Sequence, residues 1–246
     1  KIKAKPGANV LIKPNLLAAR DPEKAVTTHP EVLTAIILYL KKFDCQITIA
    51  DSPAGVYNKK TLETLYETCG INEVAKKTGA VLNFDTAENI IMFPNAKVLK
   101  KAHIITPALK ADFIINVAKL KTHGLTRLTC ASKNLFGLMP GVLKYRQHVI
   151  MPDIRVFSQM IADINKYFEG KTFTIVDGIM GMEGEGPSSG EPRFTGALFG
   201  GINTQAVDVL ACKIMQMPPE TVPTISDFKT FDDIEVVEID NIRTYN

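Results

Sequence analysis

Two ammoniums and an imidazole fall within five positions at Lys119-Leu120-Lys121-Thr122-His123. They follow an apolar run at 113–117, which reads as a buried strand. Such a trio suits an anionic ligand, a phosphate or a carboxylate. Lys119 is then a binding cation, and Lys121 and His123 are candidate catalytic groups. His123 could equally act as a general base or a metal ligand. A second cluster, Ser132-Lys133-Asn134, lies on an expected helix at 128–138. The first turn of a helix presents unpaired N–H groups to anions. Lys133 adds a catalytic or binding charge there, and Asn134 adds an amide that both donates and accepts. Lys13-Pro14-Asn15 closes the first strand. Pro14 fixes the chain direction and keeps Lys13 extended, so Lys13 and Asn15 join the binding candidates.

Three carboxylates complete the set. Asp51 and Asp177 each end a β run, and Glu183 follows in a glycine-rich stretch. They could hold a divalent metal or orient a cation. Asp51 and Asp177 could also simply cap a helix or form a turn. The segment 178–196 is rich in Gly, Pro, Ser and Glu and is expected to be a long loop acting as a lid. Gly184 and Gly186 within it would let backbone approach a ligand closely. His148 follows Lys144, Tyr145 and Arg146 and is a candidate cap for the site. His29 and His103 read as structural. The G-x-x-x-x-G-K-[ST] phosphate loop and the G-x-G-x-x-G dinucleotide turn are both absent.

The elements that must position these groups alternate. Strands are expected at 10–12, 47–50, 80–82, 113–117 and 173–176, with a last one at 234–239. A helix opens at Thr28-His29-Pro30-Glu31, with proline at its first position. Others are expected at 61–68, 72–77, 154–168 and 205–215. Segments 89–92 and 96–99 suggest a hairpin, and 197–201 a strand or turn. Strand–helix–strand units make parallel pairs through right-handed crossovers. The expected fold is therefore three-layer α/β, a mostly parallel or mixed sheet with helices on both faces. It forms one domain over 1–246, with a small lobe around 85–110 as an elaboration. In such sheets ligands bind beyond the carboxyl ends of the strands, where the clusters above would meet.

Composition narrows the class. The 246 residues are 46% hydrophobic and 22% charged, ordinary for a globular chain with a sizeable core. A net charge of +3 gives little basis for a nucleic-acid partner. No apolar run approaches the roughly 20 residues of a membrane span. Because the sequence opens at Lys1-Ile2-Lys3 without an initiator Met, the lack of a leader there carries little weight. Cys45, Cys69, Cys130 and Cys212 are scattered, with no C-x-x-C pair. They read as free thiols in a reducing cytoplasm rather than ligands of zinc or an iron–sulfur cluster.

Taken in order, Lys13-Pro14-Asn15, Lys119-Leu120-Lys121-Thr122-His123, Lys133-Asn134-Leu135-Phe136-Gly137, Asp177-Gly178-Ile179 and Met182-Glu183-Gly184-Glu185-Gly186-Pro187 resemble the domain-of-unknown-function family numbered 362. Asp208 also fits that pattern. The resemblance spans almost the whole chain. It implies a soluble prokaryotic protein and supplies no reaction. It also implies, for many relatives, a ferredoxin-like segment with two four-iron–four-sulfur clusters. This chain departs there, having no cysteine run, so a cluster would need cysteines from a fused segment or a ferredoxin-like partner. Two expectations follow. One is an enzyme acting on a small anionic ligand, with a divalent metal as an option. The other is an accessory protein of an iron–sulfur redox system.

Overall fold

The computed structural model describes residues 6–226, 228, 232 and 234–237. The elements in chain order are β1 (Asn9–Pro14), α1 (Pro30–Leu40), β2 (Gln46–Ile49), α2 (Lys59–Thr68), α3 (Ile71–Thr78), β3 (Val81–Leu82), β4 (Glu88–Met92), β5 (Lys101–Ile105) and α4 (Thr106–Lys110). They continue with β6 (Phe113–His123), β7 (Arg127–Thr129), α5 (Ala131–Asn134), α6 (Gly141–Ile150), α7 (Ile154–Tyr167), β8 (Thr172–Glu183), β9 (Glu191–Gly201) and α8 (Thr204–Ile214).

Seven strands form the main sheet, in the order β3-β2-β1-β6-β8-β9, with β7 paired to the far end of β6. The first five of that order run parallel. β9 and β7 are antiparallel to their neighbours. The chain steps outward from β1 to β2 and β3, then returns to the other side of β1 with β6. The gap between β1 and β6 is thus a topological switch point, where a crevice opens.

Side chains alternate across the sheet and seed two layers. Val10 and Ile12 pack with Ile47, Ile49 and Val117 against Leu33 and Ile37 of α1, Leu62 and Leu65 of α2, and Val74 of α3. Leu11 and Ile114 face the other way, onto Phe157, Met160, Ile161 and Ile164 of α7. Farther along that face, Ala118, Leu120 and Val176 meet Val207, Val209 and Ala211 of α8. Helices on both faces make the expected three-layer α/β fold. Full burial of each of these Leu, Ile or Phe side chains contributes about 1.5–3 kcal/mol. α1 starts as its sequence suggests: Pro30 holds the first helical position, and His29 Nδ1 accepts from Glu31 N at 3.2 Å.

Several elements differ from expectation. The stretch 178–196 is not a long loop. β8 continues to Glu183 and pairs with β9 over nearly its whole length, leaving only a short turn at 184–190. Backbone pairing overrides the loop-like composition, and a register shift between Gly178 and Met180 absorbs the small residues. Likewise β6 does not stop at Val117; β8 and then β7 keep it in the sheet through His123. The expected helix at 128–138 is β7, the short α5 and a 3-10 turn at Leu135–Leu138. The hairpin around 85–110 is a separate two-stranded sheet, with its second strand at Lys101–Ile105. Its Phe93, Leu99 and Ile104 join the same core as α7. Of the expected strand at 234–239, residues 238 and 239 lie outside the described residues, and 234–237 form no strand.

Candidate functional site

Lys13, at the end of β1, is buried and cannot stay charged there without partners. Its Nζ sits 2.7 Å from Asp51 Oδ1, just beyond β2. It also donates to Pro14 O at 2.6 Å and Asn134 Oδ1 at 3.2 Å. Asp51 is held in turn by Leu16 N at 2.7 Å and Ser52 N at 2.9 Å. Gly137 packs against this pair. A Cβ there would stand 2.6 Å from Asp51 Oδ1 and 2.7 Å from Lys13 Nζ, so the close approach demands glycine.

Asn15 joins the two faces of the sheet. Its Nδ2 donates to Asn134 Oδ1 at 3.0 Å, and its Oδ1 accepts from Lys121 Nζ at 3.2 Å. Lys121 comes from β6 and is fully buried. It donates further to Val26 O at 2.6 Å and Pro187 O at 3.1 Å, tying the β8–β9 turn to the body of the protein. Asn134 is fixed from below by Asn116, whose Oδ1 accepts from Asn134 Nδ2 at 2.8 Å. Asn116 also donates to Ala131 O and to Thr174 Oγ1, each at 3.0 Å. The start of α5 is held by Asp208 of α8, which accepts from Ala131 N at 2.7 Å and Ser132 N at 3.1 Å.

These groups border one cavity of about 480 Å³ at the carboxyl ends of β1, β2 and β6. Four lysines line it: Lys13, Lys121, Lys133 and Lys144. Asp51 is the one carboxylate among its lining residues. His123, Asn15, Asn134 and Tyr145 contribute as well. Lys144, on α6, donates to Ser52 O. Burial lowers all four amines from the usual lysine range, because a charged form is poorly solvated there. Lys13 is lowered by burial, opposed by Asp51. Lys121 falls to about 7, first by burial and then through Lys133 and Lys119. Lys144 falls to about 7 by burial, with Asp51 opposing. Lys133 falls to about 8 by burial. Asp208 moves the other way, up to about 6, also by burial.

His123 Nδ1 accepts from Leu125 N at 3.0 Å and Thr126 N at 3.2 Å. In the neutral ring the proton therefore sits on Nε2.

The expected residues divide into two groups. Lys13, Asn15, Asp51, Lys121, His123, Lys133 and Asn134 come together around the cavity. Lys119 and Asp177 do not line it. They form a separate buried ion pair at 2.9 Å, and His29 N donates to the same Asp177 oxygen at 2.8 Å. Glu183 lies on the exposed arm, 3.3 Å from Arg193. Asp51, Asp177 and Glu183 thus have three different cationic partners, and among the described residues no group of three His, Cys, Asp or Glu side chains is placed to hold a metal. Gly184 and Gly186 shape the turn, and it is their neighbour Pro187 that reaches the cavity. The side chain of His148 lies outside what the structure describes.

Sequence reasoning missed Lys144, Asn116 and Gly137. Lys144 lies one turn into a helix that opens at Gly141, where Gly141 packs on the backbone oxygen of Gly55, a contact between segments far apart in sequence. Asn116 was visible as an amide inside an apolar strand.

A family profile described as "Domain of unknown function (DUF362)" matches residues 10–213. A "Thylakoid-associated protein sll1697" of Synechocystis sp. is 32% identical over 228 residues, covering 90% of this chain and 67% of that protein. Among solved structures, the lactate racemase apoprotein from Thermoanaerobacterium thermosaccharolyticum is similar with a TM-score of 0.51 and 15% identity. That likeness covers 85% of this chain, which spans about half (49%) of the solved chain. It is a likeness of fold. No described helix is long and apolar enough to cross a membrane.

Proposed function

Since the chain belongs to the DUF362 family, whose description assigns no activity, we propose from the site itself that the cavity binds a small anionic ligand, a carboxylate or phosphate, and acts on it. One observation carries this reading: four lysine amines and one carboxylate line the same cavity. Four lysines against one aspartate leave a surplus of three positive charges when all are ionised. An anion would offset that surplus and restore the protonated state of Lys121 and Lys144. Asn15 and Asn134 fix the amine positions, so the site is organised before the ligand arrives. His123 would move a proton through Nε2. Metal assistance would need ligands other than the three carboxylates first expected, since each is engaged by a separate cation. The four buried, free cysteines support a reducing compartment.

Calorimetric titration with sulfate, phosphate and oxalate at pH 6 tests this reading. Wild-type protein should bind at least one of them. Replacing both Lys133 and Lys144 by Met should weaken that binding on the order of tenfold or more, about 1.4 kcal/mol. No binding by wild type, or equal binding by the double variant, would overturn it.

A further inference from the structure

The four lysines differ in what holds the amine. Lys13 and Lys121 each donate to neighbouring oxygens, and Lys144 donates to Ser52 O. Lys133 Nζ has no oxygen acceptor among the described residues. Its partners are two aromatic faces, 5.5 Å from the Phe136 centroid and 5.6 Å from that of Phe157. Such contacts favour an ammonium by only about 0.5–2 kcal/mol. Lys133 therefore gives up a proton without breaking a hydrogen bond, and its lone pair is available to the cavity it lines. Its backbone does not drift, because α5 is held at Ala131 and Ser132 by Asp208. Lys13, Lys121 and Lys144 surround the same space and can hold the charge of a ligand that brings its own electrophile.

We propose that Lys133 is a nucleophile that forms an imine with a carbonyl compound bearing a carboxylate or phosphate, such as a 2-oxo acid or a phosphorylated aldehyde. This rests on the anion-binding reading above and names the substrate class for it. The neutral amine attacks the carbonyl carbon, and the C=O π pair moves to oxygen, which takes up a proton. The carbinolamine nitrogen then expels that oxygen, protonated again, as water. The net change is ammonium plus carbonyl to iminium plus water, with no oxidant or reductant consumed. The proton taken up on departure is the one the ammonium released, and His123, which lines the same cavity, can donate a hydrogen bond from Nε2–H to the departing oxygen. Burial supports the step by bringing Lys133 down to about 8, so that a useful fraction is neutral near neutral pH.

The test is reductive trapping. Protein is incubated with glyoxylate or glycolaldehyde phosphate and cyanoborohydride, with acetaldehyde as the uncharged control, and adducts are mapped by mass spectrometry. Lys133 should label more than tenfold faster than the exposed Lys60 and prefer either anionic carbonyl to acetaldehyde. The better of the two distinguishes carboxylate from phosphate recognition. Sulfate should slow labelling. The rate should rise with pH through about 8, with Lys13, Asp51, Lys121, His123, Lys144 and Tyr145 as the other ionisable groups facing the cavity. Lys133→Arg should abolish the adduct. Sulfate competition in wild type gives the answer even if that variant fails to fold. Labelling of Lys133 no faster than Lys60, or first on Lys121 or Lys144, in protein that still binds sulfate would overturn the imine and leave the anion site standing. Absence of both adduct and sulfate binding would overturn both.

Discussion

Gly137→Ala tests the packing at the heart of the site. A Cβ at this position would lie 2.6 Å from Asp51 Oδ1, 2.7 Å from Lys13 Nζ and 2.8 Å from Lys13 Cε. Ordinary contact begins near 3.4 Å, so the overlap is about 0.8 Å with Asp51 Oδ1 and about 0.7 Å with Lys13 Nζ. Neither side yields freely. Asp51 is pinned by two backbone N–H groups, and Lys13 by Pro14 O and Asn134 Oδ1. Overpacking of this kind costs about 1–3 kcal/mol. If the ion pair separates, the cost approaches about 3–5 kcal/mol, because both partners are buried. At roughly 2–4 °C per kcal/mol for a chain of this size, the milder case lowers Tm by about 2–12 °C. Backbone entropy works the other way, favouring alanine by about 0.4–1 kcal/mol. Gly124→Ala is the control, since a Cβ there meets only Gly186 O at 3.9 Å. Thermal and urea unfolding should separate the two variants. A Gly137→Ala protein as stable as Gly124→Ala would refute the claim that the Lys13–Asp51 pair needs this close approach.

Other outcomes follow from the same geometry. Lys121→Met removes donors to Asn15, Val26 and Pro187; it should cost about 1–3 kcal/mol and raise hydrogen exchange at 184–190, and unchanged exchange there would count against the tether. Asp208 has a raised pKa in the folded state, so the native protein binds its proton more tightly than the unfolded chain. Stability should therefore fall as pH rises from about 4 to about 6, by up to roughly 3 kcal/mol; in Asp208→Asn that part of the slope should vanish, and an identical slope in both proteins would contradict the assignment. Sulfate affinity should fall as pH rises through about 7, where Lys121 and Lys144 lose their protons. Sulfate itself does not titrate there, and a flat profile would remove the ammoniums from the binding account.

The fold was legible because it follows from periodicity. Apolar runs such as Val10-Leu11-Ile12 and the proline-started helix at Pro30 need no tertiary information. The β8–β9 arm was hidden because glycine and glutamate composition speaks for a loop, and only pairing along eleven or twelve residues reverses it. At the site, Lys13 and Lys121 could be read as convergent because each lies at the end of a parallel strand, and Lys133 because it opens the next expected helix. Lys119 and Asp177 could not be told apart from them in one dimension. They are placed across from one another in neighbouring strands, and neutralise each other inside the sheet instead of facing the ligand. Lys144 depends on where α6 folds back over the β2 end, a placement made by long-range packing.

The most direct measurement is NMR titration of the lysine side-chain Cε and Nζ resonances, with and without sulfate. Two lysines, assigned by Lys121→Met and Lys144→Met, should titrate near 7 in the free protein and shift upward when sulfate binds. If every lysine titrates near the usual value of about 10.4 and none responds to sulfate, the cavity is not an anion site.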